Sequence, residues 1–140
     1  MRKMSLDVGT RTIGIAVSDL LGMIANGVET IKRTTEERDF ARIGELIKEH
    51  EVDTLVVGYP KNMNDTLGER IEKTEAFKER LERRTGLPVI CWDERLTTVA
   101  AEKAMLEGGL RRQERKEKID KLAAVLILQG YLDYRKDQTE

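Results

Sequence analysis

The sequence predicts an α/β protein built on a mixed five-stranded sheet with helices on both faces. Three observations carry this reading. Three short β-like runs follow one another between residues 3 and 32 with only glycine-containing turns between them, the pattern of an antiparallel meander. Helical and strand-like patterns then alternate, as they do in crossover units that feed parallel strands. Finally, Thr54-Leu55-Val56-Val57-Gly58 is a continuous apolar run, which a strand covered on both faces requires.

Taken in order, the runs Lys3 to Val8, Arg11 to Ser18 and Ile24 to Ile31 are the meander strands, turning at Val8-Gly9-Thr10 and Leu21-Gly22-Met23. Thr34 with Glu37 forms a capping box, and Phe40, Ile43, Leu46 and Ile47 recur at helical spacing behind it. The apolar strand at residues 54–58 leads into the loop Tyr59-Pro60-Lys61-Asn62-Met63-Asn64-Asp65. A second capping box, Thr66 with Glu69, opens a helix carrying Ile71, Phe77 and Leu81 that stops at Gly86-Leu87-Pro88. Val89 to Trp92 is the fifth strand and Val99 to Leu106 a further helix ending at Gly108-Gly109. A basic connector, Leu110 to Lys118, precedes a last helix with Ile119, Leu122, Ala123, Leu126 and Leu132. The order is βββαβαβαα.

At 140 residues the chain is expected to form one domain, 1–140. That length suffices to bury about two thirds of the unfolded surface. Charged residues make up 36% of the chain but nearly cancel to −1, so overall charge does not announce a nucleic-acid binder, although a local basic patch still would. The N-terminus has no apolar signal-peptide core and no run reaches the roughly 18 apolar residues of a membrane span, so a soluble cytoplasmic protein is expected, with no membrane partner. The single cysteine, Cys91, lies in an apolar strand and reads as a structural thiol. With His50 the only histidine, at a helix C-terminus, neither a Ser-His-Asp triad nor a His-rich zinc site is expected.

The chemistry is sought among carboxylates. Asp7 ends an apolar strand, where an ionised side chain costs on the order of several kcal/mol unless it is paired or binds a cation. Gly9 and Gly14 nearby allow a close approach of backbone to a ligand, either a divalent metal on the carboxylate or a phosphate against the turn. Ligands of α/β sheets gather beyond the carboxyl ends of strands, and Asp7, residues 60–64 and Asp93-Glu94 lie at three such ends. Asp120 opens the last helix, whose Ala123 and Ala124 permit close packing on the sheet and so bring Asp120 beside Asp7. Convergent carboxylates suit Mg²⁺ or Mn²⁺. Such ions in pairs serve in-line displacement at phosphodiesters. Asp7 as a plain turn residue and Asp120 as a favourable charge at a helix N-terminus are the structural alternatives. Alternation along Trp92-Asp93-Glu94-Arg95 lets only one of Asp93 and Glu94 face the site. The connector with Arg111, Arg112, Arg115 and Lys116, flanked by Gly108-Gly109, reads as a mobile basic loop suited to a phosphate backbone, or else as an ordinary solvated linker. Lys61, Asn62 and Asn64 add phosphate or sugar contacts, unless they only make a turn. Aromatics are too few for a broad base-stacking platform.

These residues resemble the YqgF family, also called RuvX. The resemblance rests on Leu6-Asp7-Val8-Gly9-Thr10-Arg11 with Gly14-Ile15-Ala16-Val17-Ser18-Asp19, Gly58-Tyr59-Pro60-Lys61-Asn62-Met63, Trp92-Asp93-Glu94-Arg95-Leu96-Thr97-Thr98, and Ile119-Asp120-Lys121-Leu122-Ala123-Ala124 through Leu128-Gln129-Gly130-Tyr131-Leu132. It spans essentially the whole chain in order. It implies a ribonuclease H-like fold related to the RuvC resolvases, and a nuclease acting on the 5′ end of precursor 16S ribosomal RNA or, alternatively, a Holliday junction resolvase. The family's acidic positions fall on Asp7, the Asp93-Glu94 pair and Asp120, which implies Mg²⁺ or Mn²⁺, two ions with substrate. Asp7, Glu94 and Asp120 are then the catalytic ligands, with Asp93 as a further candidate, and Arg11 and Arg95 join the nucleic-acid contacts. RuvC-type enzymes carry an acidic residue at the end of the strand that here reads Val56-Val57-Gly58-Tyr59-Pro60; this chain has none, so Glu94 has to substitute. Asp65 stands where many relatives have glycine.

Two other classes compete. Asp7-Val8-Gly9-Thr10 also resembles the first phosphate motif of the actin, sugar-kinase and Hsp70 superfamily, but those proteins close two lobes on a nucleotide and this chain has room for one. A ribosome-assembly factor that binds structured RNA without cutting it is the other. A resolvase needs two symmetric cuts and hence a dimer, whereas an RNA-processing nuclease works as a monomer or a homodimer.

Overall fold

The computed structural model describes residues 2–9, 11–59, 67–93 and 112–139, of which residues 59, 67–71, 93, 112–120 and 136–139 are described by backbone alone. Five strands, β1 (Arg2–Val8), β2 (Thr12–Ser18), β3 (Ala25–Lys32), β4 (Val52–Tyr59) and β5 (Val89–Asp93), form one sheet in the order β3-β2-β1-β4-β5. β1, β2 and β3 pair antiparallel, whereas β4 and β5 run parallel to β1. The expected meander and crossovers are both present. Each strand lies within a residue or two of its sequence-derived bounds.

Period-two alternation divides the core. Met4, Leu6, Ile13, Ile15, Leu55 and Val57 pack on one face against Phe40, Ile43 and Leu46 of α1 (Glu36–His50) and Phe77 and Leu81 of α2 (Leu67–Thr85). Ala16, Val56 and Ala25 pack on the other face against Ala124, Ile127, Leu128, Tyr131 and Leu132 of α3 (Arg112–Thr139). Trp92 of β5 completes this second cluster, ringed edge-to-face by Tyr131 and Tyr134 with centroids 6.3 and 6.0 Å away. Helices therefore cover both faces, as the pattern predicts. Among the described residues no helix is long and apolar enough to cross a membrane.

Two expectations require correction. The N-cap of α1 is Thr35 rather than Thr34: its side chain accepts from the Arg38 N–H, which puts Arg38 and not Glu37 at the third helical position, so no capping box forms. The buried Asp39 explains the shift, because its carboxylate accepts from the Thr34 N–H and so engages the backbone that would otherwise open the helix. Second, the basic stretch from Arg112 onward is helical, not a loop. Arg, Gln, Glu and Lys all have high helix propensity, and nothing in residues 112–118 interrupts the helix that the apolar positions after Ile119 require. Asp120 thus lies about two turns inside α3, too far from its N-terminus for the dipole explanation. The expected helix at residues 99–106, the loop 60–65, the cap Thr66 and the Gly108-Gly109 punctuation lie outside the described residues.

Side chains tie α1 to the sheet. Arg42 forks onto Glu29 of β3 at 2.6 and 2.9 Å, and this hydrogen-bonded partner holds the Glu29 carboxyl below its ordinary value. A carboxyl lowered in the folded state contributes stability that is complete above its ordinary value of 4.5 and is lost as pH falls through the lowered value. Arg42→Ala should therefore cost about 0.5–1 kcal/mol at neutral pH, because the pair is partly exposed, and the deficit should shrink on acidification below about pH 4.5. Urea unfolding of both proteins across pH 3 to 7, roughly, checks this; a pH-independent deficit contradicts it.

Gly130 of α3 lies tight against Trp92 of β5: a Cβ there would stand 3.2 Å from Trp92 Cζ2. Gly130→Leu should destabilise the protein by about 1–3 kcal/mol through overpacking, despite the gain in helix propensity. Urea unfolding followed by the fluorescence of Trp92, the one tryptophan of the chain, provides the measurement.

Candidate active site at the carboxyl end of the central strand

Asp7 is the penultimate residue of β1, the strand at the centre of the sheet. The Ser5 hydroxyl donates to the Ala124 carbonyl of α3. Alternation then puts Asp7, two residues on, on this same helix-covered face. In register, Asp7 pairs with Gly14 on β2 and with Gly58 on β4. Both neighbours of a half-buried carboxylate thus contribute no side chain. The row continues outward to Thr30 on β3 and Trp92 on β5. Thr30 Oγ1 and Trp92 Nε1 are the two buried side-chain polar atoms with no hydrogen-bond partner among the described residues, and they belong to the two ends of this one row. The sheet thus offers no side chain on either side of this carboxylate.

The helix reaches the same place from above. Lys121 and Val125 pack over Gly27 of β3, whereas Gln129 further along receives the Ala25 N–H and donates to the Met23 carbonyl. α3 therefore descends from the carboxyl end of β1 toward its start. Residue 120 lies one turn, about 6 Å, before Ala124, and Asp7 lies two residues, about 6.6 Å, beyond Ser5. Because the two elements run in opposite senses, both displacements point the same way, and the backbone brings positions 7 and 120 to one level. The close packing expected from Ala123 and Ala124 is present, both being buried. Arg112, Arg115 and Lys116 occupy the turns of α3 that extend farther past the end of β1.

Position 93 ends β5, in register with Tyr59. Ile90 and Trp92 pack in the α3-side cluster, so the even-numbered positions of β5 share the face of Asp7. Glu94, Arg95, Lys61, Asn62, Asn64 and Arg111 lie outside the described residues. Arg11 is exposed in the turn that follows Asp7. Among the described residues no group of three or more Asp, Glu, His or Cys forms a metal site, and of the four acidic candidates only the side chain of Asp7 is described. The oxygen donors of these candidates match hard divalent cations. Cys91 plays no part here. It is half-buried, burial pushes its thiol up, and its neighbour is Glu75 of α2.

Sequence reasoning missed three features of the site. Gly14 was noted as lying near Asp7, but its pairing with Gly58 on either side of the carboxylate becomes visible only once register is known. Thr30 carried no signal. Nor did Arg33, which donates to the Gly9 carbonyl at 2.7 Å in the turn after Asp7.

The fold and the whole chain have known counterparts. Structures of RuvC from Thermus thermophilus, one of them in complex with Holliday junction substrate, superpose with TM-scores of 0.62 and 0.58 at 18% and 14% identity. These alignments cover 97% and 98% of this chain and 96% and 97% of RuvC, which shows the ribonuclease H-like fold. Proteins named "Putative pre-16S rRNA nuclease" are 57% identical in Agathobacter rectalis, over 96% of both chains, and 56% identical in Listeria monocytogenes, over 95% of this chain and 98% of the relative. The family model described as "RuvX: Holliday junction resolvase" matches residues 1–134. With that match and relatives more than half identical along nearly its full length, the chain belongs to the RuvX family.

Proposed function

We propose that this protein is a cytoplasmic, single-domain, divalent-metal-dependent endonuclease that trims the 5′ end of precursor 16S ribosomal RNA. One observation carries the reading: a half-buried carboxylate ends the central strand between two glycines, at the level where α3 brings Asp120. The names of relatives more than half identical favour precursor rRNA as substrate. Asp7, Glu94 and Asp120 are assigned as the ligands of Mg²⁺ or Mn²⁺, two ions when substrate is present. Within β5 the even-numbered Ile90 and Trp92 share the face of Asp7, which disfavours Asp93 and leaves Glu94 as the assigned ligand. That assignment also supplies the acidic residue that this chain lacks at the end of β4. Bound there, the metal contributes Lewis-acid stabilisation of the phosphorane-like charge in an in-line displacement.

The chain's own groups do the rest. Asp7 would hold the ion at the end of β1 and so set where a phosphate bound to that ion lies, and the hydrogens of Gly14 and Gly58 leave space for the sugar-phosphate backbone. Arg11, Arg95, Arg111, Arg112, Arg115 and Lys116, with Lys61, Asn62 and Asn64, are assigned to phosphate and sugar contacts. α3 carries three of these cations beyond the strand end as a rigid helical arm instead of a mobile loop. A second reading, resolution of four-way DNA junctions, draws on the description of the family model. It requires a homodimer with paired sites.

Cleavage of a matched panel, a precursor-16S fragment, plain single-stranded RNA and a four-way DNA junction, tests these assignments with Mg²⁺ or Mn²⁺. Asp7→Asn should lower cleavage by more than about 100-fold, since even partners of metal ligands cost about 10–100-fold, while circular dichroism and melting stay close to wild type. The precursor fragment should be cut preferentially. Preferential symmetric cutting of the junction by a dimer favours resolution instead. RNA binding that is indifferent to EDTA and to Asp7→Asn, without cleavage, supports an assembly factor.

A further inference from the structure

The turn that carries the chain away from Asp7 is held from outside its own hairpin. Within the hairpin, the Gly9 N–H donates to the Thr12 carbonyl at 2.8 Å, and a Cβ on Gly9 would meet that carbonyl at 3.2 Å. The Gly9 carbonyl is instead bonded by Arg33 Nη1 at 2.7 Å, and the Arg33 backbone N–H donates to the Arg11 carbonyl at 2.8 Å. One residue, just past the end of β3, thus grips the turn at two points. Its guanidinium is oriented in turn by Asp39 of α1, whose Oδ2 lies 3.5 Å from Arg33 Nε and whose Oδ1 accepts from the Thr34 N–H at 3.2 Å. Asp39 is almost fully buried, with 3% of its surface exposed, whereas Arg33 is partly open. A buried carboxylate that spends its oxygens on one guanidinium and one backbone N–H defines a fixed direction for that guanidinium.

The location makes the brace relevant to Asp7. Cross-strand side chains ordinarily steady a strand end, but both register neighbours of Asp7 are glycines. The ladder pairs the backbone of Asp7 on both sides, and the chain Asp39 to Arg33 to Gly9 adds a side-chain hold two residues further on, where β1 has ended. We propose that Arg33, aimed by Asp39, is a positioning residue that fixes the Gly9–Thr12 turn and thereby the placement of the Asp7 carboxylate for a divalent cation. This rests on the metal reading given above. Arg33 acts through the backbone of Gly9 and Arg11 and is not itself assigned to substrate.

The test is titration of the full-length protein with Mn²⁺ alone, free ion being counted by electron paramagnetic resonance, on wild type, Arg33→Met, Arg33→Lys, Asp39→Asn and Asp7→Asn. Arg33→Met should weaken Mn²⁺ binding by about 10-fold, as loss of an outer support does at metal sites. Arg33→Lys should fall between it and wild type, since an ammonium reaches one of the two acceptors but cannot fork across both. Asp39→Asn should also be intermediate, and cleavage should lose kcat in the same order with KM little changed. If Arg33→Met does not fold, the Lys and Asn variants still have to show graded loss. Wild-type Mn²⁺ affinity in the folded Arg33 and Asp39 variants, beside loss in Asp7→Asn, overturns the brace alone. So does a rise confined to KM, which would make Arg33 a substrate contact. Equal affinity in Asp7→Asn and wild type overturns the metal reading and this inference with it.

Discussion

The alternation of β1 is the constraint on which the rest of the molecule depends. As the central strand it is covered on both faces, so Met4 and Leu6 enter the core under α1 and α2 while Ser5 and Asp7 turn to α3. A slip of one residue would exchange these sets, burying a carboxylate among phenylalanines and leucines and bringing two large apolar side chains to the ligand strip. The apolar core therefore enforces the polar site: the free energy that keeps Met4 and Leu6 inside also keeps Asp7 on the opposite face. Ser5 then anchors the helix at the one level that brings residue 120 to the end of the strand.

Glycine has a specific use in this arrangement. On a sheet face covered by a helix, a residue without a side chain normally leaves a packing defect. Here Gly14 and Gly58 lie on either side of the carboxylate, while the tight packing resumes one pleat below, at Ala16 and Val56. Arg112, Arg115 and Lys116 stand on the same continuous helix as Asp120, in the turns that precede it.

Much of this was legible in the sequence, for identifiable reasons. The order of elements along the chain followed from short apolar runs separated by glycine turns, and Asp7 stood out because a carboxylate is an unusual residue at the end of an apolar strand. Ala123 and Ala124 correctly indicated close approach of the last helix. Other features were not legible. Thr34 and Thr35 are chemically equivalent as caps, and the choice between them is made by the buried Asp39, a tertiary fact. A run of Arg, Gln, Glu and Lys suits a solvated linker and a helix alike, so the start of α3 depended on what the following apolar residues could nucleate. The glycine pair beside Asp7 and the grip of Arg33 on the Gly9 turn depend on strand register and on contacts across 24 residues, which no local pattern encodes.

The central claim is that the end of β1 is a cation site formed by Asp7 together with Asp120 from α3. Crystals of the wild-type protein soaked in Mn²⁺, with anomalous diffraction recorded near the manganese edge, test it most directly. The account predicts a peak at about 2.0–2.3 Å from a carboxylate oxygen of Asp7 and within direct coordination distance of Asp120. Manganese bound elsewhere, or a fully ordered Asp7 with no peak beside it at saturating ion, would contradict it.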